Sequence, residues 1–592
     1  MSYIVGISAL YHDSAAVLLK DGIVVAAAQE ERFTRVKHDS SLPVRAVRWL
    51  CQHAGIRLSD VDYFCFYEKP LKKFERILAT SVATFPKSIG AFPTQMHSWL
   101  SDKLWIRTRI AQTFSIRPEK ILFGEHHLSH AASAFFVSPF REATVLVVDG
   151  VGEWATTSVW KGEENTLRPM GEIRYPHSVG LFYSAITAHL GFAVNEGEYK
   201  VMGMAAYGQP KHLKLMQEML RLHEDGSFSL DLDYFSFHYS IQSPTTAKLV
   251  KALGAPRAPG TPFDLSEHAA PELREMNQHF ADIAASAQAH LEATMLHLAK
   301  SAISTCESDV LCLAGGVSLN ARANGVLARS GVASKLWAQP AAGDAGAALG
   351  AALWVWHEVL GNPRNNRGFP VDFGREWKRD ETHELLKGLG LPFTDTDGGS
   401  PTQAANDLQN HKCIAWCQGR FEWGPRALGN RSIFANPTDP KVAERVNRMV
   451  KFREPFRPFA PMVSESHADE WFDIPDSAEH LVKYMMATVD VKARKKSQIP
   501  AVTHADGTAR VQVIDSRYYP PIRQISDEFR ALSSCPVILN TSLNVKGDAM
   551  AASPVDAIAT FLKSKLDVLY LNDFRVTQPK RTFGVPEENA SE

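Results

Sequence analysis

The chain has 592 residues, with 64 Lys or Arg against 65 Asp or Glu and a formal charge of −1. Its 45% apolar, 10% aromatic and 22% charged residues are ordinary for a folded globular protein and exclude a disordered or collagen-like chain. Balanced charge argues against broad binding to a nucleic-acid backbone, yet leaves room for small anions in a local basic pocket. At about 150 residues per domain the length allows four units, or two large ones.

The N-terminus, MSYIVGISALYHDS, has no basic segment ahead of an apolar core, so no signal peptide is expected and the cytoplasm is the expected location. Residues 3–29 read as YIVGISAL, a polar turn YHDS, AAVLLK, a two-residue turn at Asp21-Gly22, and IVVAAA. His12 in the first turn can take a proton from a hydroxyl near neutral pH, although a lone His is more often structural. In HHLSHAASAF, His126 and His130 are four apart and share one face if the segment is helical, while His127 points elsewhere. Solvated histidines are the plain expectation for such a helix, and HExxH fails because His127 stands where the Glu is needed. A second strand–turn–strand unit spans 143–160, ending its first strand at Asp149-Gly150.

The longest run free of Asp, Glu, Lys and Arg, Tyr175–Asn195, is too polar for a membrane span and predicts a buried helix from near Ser178. Residues 254–271 read as a Pro-rich surface loop, and apolar residues at three- and four-residue intervals predict a helix over 275–305. DVLCLAGGVSLN predicts a third strand running into Gly315-Gly316. Strands ending in Gly or acidic turns can converge on one cleft, where ligands of α/β folds sit. GNPRNNRGFPVDFG at 361–374 predicts a break, after which CIAWC, PVILN and VLYL alternate with helices. The expected division is 1–360, a linker over 361–380, and 381–592.

Four constellations carry chemistry. His126 and His130 with Asp149 and Asp344, the latter in GDAGAALGAAL, suit Fe, Mn or Zn, although nothing in the sequence forces the four together. Gly150, Gly152, Gly315, Gly316, Gly343 and Gly346 allow main-chain N–H groups to approach a phosphate, in the absence of a GxxxxGK[ST] loop. Arg420, Arg426, Arg431, Lys451, Arg453 and Arg457 crowd residues 418–459 and include forks suited to phosphate; for Arg420 and Arg453 a solvated face fits at least as well. LNTSLN at 539–544 follows an apolar strand and offers polar caps, with an ordinary turn the alternative. The seven cysteines are scattered without a CxxC pair, against a zinc site.

GISALYHDSAAVLL, EERFTRVKHD, HHLSHAASAF, EYKVMGMAAYG, AGGVSLN, GDAGAALGAAL, GRFEWGPRALGNRSI and LNTSLN, in this order, resemble the bacterial O-carbamoyltransferases of nodulation-factor, cephamycin and tobramycin synthesis. The resemblance runs from residue 3 to about 575. It implies an α/β protein. The N-terminal domain would be a duplicated ATPase domain of the actin/sugar-kinase type. The C-terminal α/β domain would be similar to threonylcarbamoyl-AMP synthase. It further implies that carbamoyl phosphate and ATP form carbamoyl-adenylate, and that the carbamoyl group then passes to the hydroxyl of a small-molecule alcohol. Under it His126, His130, Asp149 and Asp344 are metal positions, with Fe(II) expected and Mg accompanying ATP. Asp149, Gly150, Gly315, Gly316 and Asn320 fall at the adenylate. Arg426, Arg431, Lys451, Arg457, Arg510 and Asn540, Thr541 and Ser542 fall at carbamoyl phosphate and ATP. Lys37 and Lys200 fall at the substrate, and His12 is the expected base. A tRNA-modifying (threonyl)carbamoyl transferase and an actin-like ATP-binding scaffold are the alternatives. Nucleic acid and membrane are not expected partners, and a homodimer is one open assembly. Aromatic residues near 67–105 and 175–245, among them Phe85, Phe92, Trp99, Trp105, Phe182, Tyr183, Tyr234, Phe235 and Phe237, either shape the acceptor pocket or, for most, fill the core.

Overall fold

The computed structural model describes residues 1–365, 368–515 and 520–579. Two residues of the expected break at 361–374 therefore lie outside the described residues.

The N-terminal part is built on two sheets with one plan. In the first, β1 (Tyr3–Ser8), β2 (Ala15–Lys20) and β3 (Ile23–Gln29) form an antiparallel meander, and β4 (Tyr63–Phe66) and β5 (Ile121–Phe123) add in parallel, giving the order β3-β2-β1-β4-β5. In the second, β6 (Glu142–Val148), β7 (Ala155–Glu163) and β8 (Thr166–Arg174) form the meander; after the small hairpin β9 (Leu220–Leu222) and β10 (Phe228–Leu230), β11 (Val310–Ala314) and β12 (Lys335–Trp337) add in parallel. The order β12-β11-β6-β7-β8 repeats the first plan strand for strand. The duplication expected from the two strand–turn–strand units is thus present in the topology, and the central strands β1 and β6 are nearly fully buried, as their continuous apolar runs require.

The helices His126–Phe135 and Asp344–Trp354 pack together, and the second also packs on β1. The sequence DAGAALGAALW explains why they come so close. A Cβ on Gly350 would stand 1.7 Å from the Ser129 carbonyl oxygen, and one on Gly6 would stand 1.8 Å from that of Ala348. Only glycine permits these approaches.

The C-terminal part holds a mixed eight-stranded sheet: β13 (Phe393–Asp395), β14 (Ile414–Cys417), β15 (Arg431–Ala435), β16 (Ala460–Ser464), β20 (Gln512–Ile514), β21 (Ile538–Ser542), β22 (Val568–Leu571) and β23 (Phe574–Thr577). Their order is β13-β23-β22-β14-β15-β21-β16-β20, and β17 (Phe472–Asp473), β18 (Val489–Val491) and β19 (Thr508–Ala509) form a separate ribbon. The three C-terminal strands predicted from apolar runs are β14, β21 and β22. Segment 368–374 ties the two parts: Phe373 O accepts from Ala27 N–H at 3.4 Å, and Val371 O accepts from Trp423 N–H at 2.7 Å.

Candidate functional site

Five structural ends converge in the N-terminal cleft: the loop after β1, the loop after β6, the loop after β11, and the starts of the helices His126–Phe135 and Asp344–Trp354. His126 N–H, at the start of its helix, donates to both oxygens of Glu153 at 3.1 Å, which gives an orphan helix-start donor an acidic acceptor. One turn on, His130 turns its ring to the same side: the two Nε2 atoms are 3.1 Å apart. Asp149, directly after β6, places Oδ2 at 3.1 Å from His126 Nε2, while its Oδ1 accepts the Gly316 N–H at 2.8 Å. This stitches the β6 and β11 ends together. Gly315, at φ +87, has no room for a side chain, because a Cβ would meet Val148 O at 2.3 Å. Ser178, the predicted helix start, is indeed the cap of Val179–His189 and donates to Gly150 O at 2.7 Å. Asp344 Oδ1 lies 3.4 Å from His130 Nε2 and 3.7 Å from His126 Nε2.

The four donors lie mutually within 4.8 Å and all are buried. Donors around a cation at about 2.1 Å stand roughly 3.0–3.4 Å apart, or about 4.2 Å when opposite. The observed 3.1–4.0 Å separations fit that shape. Among the described residues Asp344 Oδ2 is buried with no hydrogen-bond partner, as a carboxylate kept for a cation would be. Burial works against a charged His126, but the Asp149 hydrogen bond and the Asp344 charge outweigh it and lift its pKa to about 9. The same imidazoles hold Asp149 well below the usual carboxylate range against its burial. The field of the site therefore favours positive charge. The solvated-histidine expectation is corrected here: His126, His127 and His130 are all buried. His127 is turned away, its Nδ1 2.8 Å from Ser158 Oγ, and burial followed by the charge on His126 pulls it down to about 3.

His12 Nε2 is 3.8 Å from Asp344 Oδ2. Its other nitrogen is 3.0 Å from Asp13, which is also 2.7 Å from His38 Nδ1. Leu10, Asp13, Arg35 and His38 all adopt positive φ, and the two loops are zipped by Leu10 N–H to Ser40 O and Ser14 N–H to Asp39 O. Strain concentrated in paired loops beside the cluster is what a preorganised site carries. Burial opposes a charge on His12, but Asp344 and then Asp13 raise its pKa to about 9. Lys37 pairs with Glu196.

The second site is a cavity of about 350 Å³ between the two parts, whose walls include Gly203, Arg322, Arg457, His504, Asp506 and Arg510. Arg426, Arg453, Arg457 and Arg510 lie close enough to depress one another's charge. Burial, then Arg457, brings Arg453 down to about 9, and burial, then Arg426, Arg453 and Arg457, brings Arg510 well down. Among the described residues, Arg453 Nε and Nη2 and Arg510 Nε are buried without hydrogen-bond partners. The solvated-face expectation for Arg453 is thus corrected: its guanidinium is turned inward, close to Arg457 and Arg510. Arg426, on the Trp-Gly-Pro-Arg turn, reaches Leu319 O at 3.4 Å.

Several expected ligand-binding residues make internal contacts. Arg431 is fully buried and donates to the carbonyls of Gln418, Gly419, Asn430 and Ala552, so its guanidinium is spent on main chain rather than left for an anion. Lys451 is bonded to Ser542 O, to Ser542 Oγ at 3.2 Å and to Asn544 Oδ1 at 2.8 Å, clamping the LNTSLN turn. Asn540 donates to Ala427 O and Gln512 Oε1, and Thr541 lies in β21 opposite Ile433. Asn320 caps the helix Ala321–Ser330 and bonds Gln288. Lys200 pairs with Glu454 at 3.0 Å, in the basic segment rather than beside His12. Glu422, which the sequence did not single out, accepts from Leu428, Asn430 and Arg431 N–H and shapes the loop that presents Arg426.

A cavity walled by arginines and a cluster of four buried metal-type donors thus stand on one duplicated α/β body. Residues 3–353 match the family model "Carbamoyltransferase N-terminus" and residues 405–578 match "Carbamoyltransferase C-terminus". An uncharacterized protein of Synechocystis is 42% identical over 98% of both chains. The nodulation protein NolNO of Sinorhizobium fredii is 34% identical over 98% of this chain and 80% of its own. Among solved structures, HypF of T. kodakarensis is similar at 12% identity and a TM-score of 0.31, over 61% of this chain and 48% of that one. The chain belongs to the carbamoyltransferase family and is a transferase.

Proposed function

We propose that the protein is an ATP-dependent O-carbamoyltransferase that makes carbamoyl-adenylate from carbamoyl phosphate and ATP, then carbamoylates a hydroxyl of a small-molecule natural product. A cytoplasmic setting goes with this reading. The observation that carries it is the pairing, in a chain of this family, of four buried donors suited to a divalent cation with a cavity walled by Arg322, Arg457 and Arg510, a cationic lining suited to phosphate.

Arg426, Arg453, Arg457 and Arg510 would hold the phosphoryl groups, whose negative charge relieves their mutual repulsion. Carbamate is a poor electrophile. Carbamoyl phosphate first loses its phosphoryl group to water, giving carbamate and inorganic phosphate; a carbamate oxygen then attacks the α-phosphorus of ATP, the bond from that phosphorus to the α–β bridging oxygen breaks, and pyrophosphate leaves, so the carbamoyl carbon gains AMP as a leaving group. Gly150, Gly315 and Gly316 would let the adenylate approach main-chain N–H groups. His126, His130, Asp149 and Asp344 would hold a divalent cation, with iron the first choice, and that cation would offset the charge on the adenylate phosphate. His12 takes the proton of the acceptor hydroxyl as its oxygen attacks the carbamoyl carbon and AMP departs. It must be neutral to do so; the Asp344 charge that raises its pKa is one that a bound cation neutralises. Asp13 orients its ring.

Incubating the pure protein with ATP and carbamoyl phosphate should give pyrophosphate and carbamoyl-AMP, and added alcohols should then gain the mass of one carbamoyl group. An adenylate formed only with threonine and bicarbonate overturns this reading in favour of tRNA modification, and neither product leaves an ATP-binding scaffold.

A further inference from the structure

Residues 69–109, the helical hairpin between β4 and β5, carry two features that the carbamoyl chemistry leaves unused. The first is apolar. In the helix Pro70–Ala83, Leu71, Leu78 and Val82 follow one another at seven- and four-residue steps and so share one face, and Leu71 and Val82 are 72% and 69% exposed. Phe85 and Ile89 in the following turn and Trp105 continue the stripe; Phe85 is 70% and Trp105 61% exposed. Exposed apolar side chains scattered singly need no explanation, but a continuous row marks a contact surface. The second is electrostatic. The segment holds eight Lys or Arg against two Asp or Glu, a local charge of +6 in a chain whose total is −1. Lys73 and Arg76 are turned to the body of the protein, and Glu125 pairs with Lys69 at 3.0 Å and Lys72 at 2.6 Å, which leaves six Lys or Arg against Glu75, Asp102 and Glu125 on the outer side, a surplus of +3.

The opposite side of the hairpin is fixed. Arg76 donates to Gly152 O at 2.7 Å, Lys73 pairs with Glu68 at 2.6 Å, and Lys69 N–H donates to Glu153 at 2.7 Å. The stripe is therefore the free face of an anchored element at the rim of the cleft, not a loose segment awaiting its own core.

We propose that this face docks on an anionic lipid surface. Aliphatic and aromatic side chains with lysines around them are the composition of an interfacial segment: the rings enter the headgroup layer and the cations meet anionic headgroups. A second copy of the chain is the natural rival for an apolar face, but a twofold interface would lay +3 against +3. The rim of the cleft would then face the membrane, so an amphiphilic acceptor could enter it from the lipid surface.

Sedimentation of the full chain with vesicles tests this. It should bind vesicles of phosphatidylglycerol and phosphatidylcholine at low salt, release from them at high salt, and ignore vesicles of phosphatidylcholine alone. Phe85→Ser combined with Trp105→Ser should abolish binding with an unchanged melting temperature, since both rings are exposed. Lys87→Glu should weaken it roughly tenfold, by removing a cation and adding an anion. Failure of the native chain to bind anionic vesicles overturns the proposal, as does unaltered binding by the double variant. A native dimer that the double variant converts to monomer assigns the face to a second copy and overturns it equally.

Discussion

At the histidine–aspartate cluster opposite charges face one another, whereas the arginines around Arg510 chiefly face one another. His126 is set by Glu153, Asp149 by Gly316 N–H, and Asp344 by a helix that glycine lets pack closely. Arg453 and Arg510 have buried N–H groups without partners among the described residues. Both regions are buried charge, and burying unpaired charge is costly. The difference teaches what each awaits. On the proposed reading the first would hold a single ion, and the second is a crowded set of forks whose arrangement an anion would complete.

The sharpest way to break this comparison is Asp344→Ala. It should strip bound metal, measured by elemental analysis, and take transfer to an acceptor down by more than the ~10²-fold that a change outside the donor set costs. Full metal retention would end the assignment of the donors. His12→Asn should cut transfer by about 10²–10⁴-fold yet leave carbamoyl-AMP formation intact; if transfer survives, the base lies elsewhere. On the cationic side the stability effect has the opposite sign. Arg510→Met removes a repelled buried charge, so the anion-free protein should melt no lower than the native one. It should, however, lose most of the stabilisation that inorganic phosphate gives, which is about 2.7 kcal/mol at a concentration 100 times Kd. Melting curves with and without phosphate decide it, and an undiminished phosphate effect would remove Arg510 from the pocket.

The smallest effect is in pH. Burial, then Arg453 and Arg457, holds Lys451 well below the usual lysine range. Without anion, the unfolded chain keeps that proton to higher pH than the folded one, so stability rises with pH between the two values. A bound anion restores the proton, so phosphate affinity should fall over the same interval and binding should take up protons. Calorimetry in two buffers of different ionisation enthalpy measures that uptake; its absence would detach Lys451 from the charge of the pocket.

Much of this was legible in the residues. Asp21-Gly22, the VLVVDG strand end and the four-residue step from His126 to His130 are local signals, and each produced the element it predicts. The small residues of GDAGAALGAAL were visible too, but their purpose was not, since it lies in contacts with Ser129 and β1. The arginines show the limit most clearly. Arg431 and Arg453 look alike in a basic segment, and only packing tells that the first is caged by carbonyls and the second is left unpaired. Asp13 and His38 are 25 residues apart, so no periodicity could have joined them. The aromatic set divided in the same manner: Phe182, Tyr183, Tyr234, Phe235 and Trp99 are core, while Phe85, Phe92 and Trp105 are exposed.

The Trp-Gly-Pro-Arg turn has one further consequence. Gly424 O accepts from Arg32, on the segment that follows the first meander, and a Cβ on Gly424 would stand 3.0 Å from the Pro340 carbonyl, just ahead of Asp344. The turn that carries Arg426 thus touches both the segment after the first meander and the loop ahead of Asp344. If the proposed two-step reaction holds, damage to this turn would show as leakage, the reactive intermediate being lost to water before transfer.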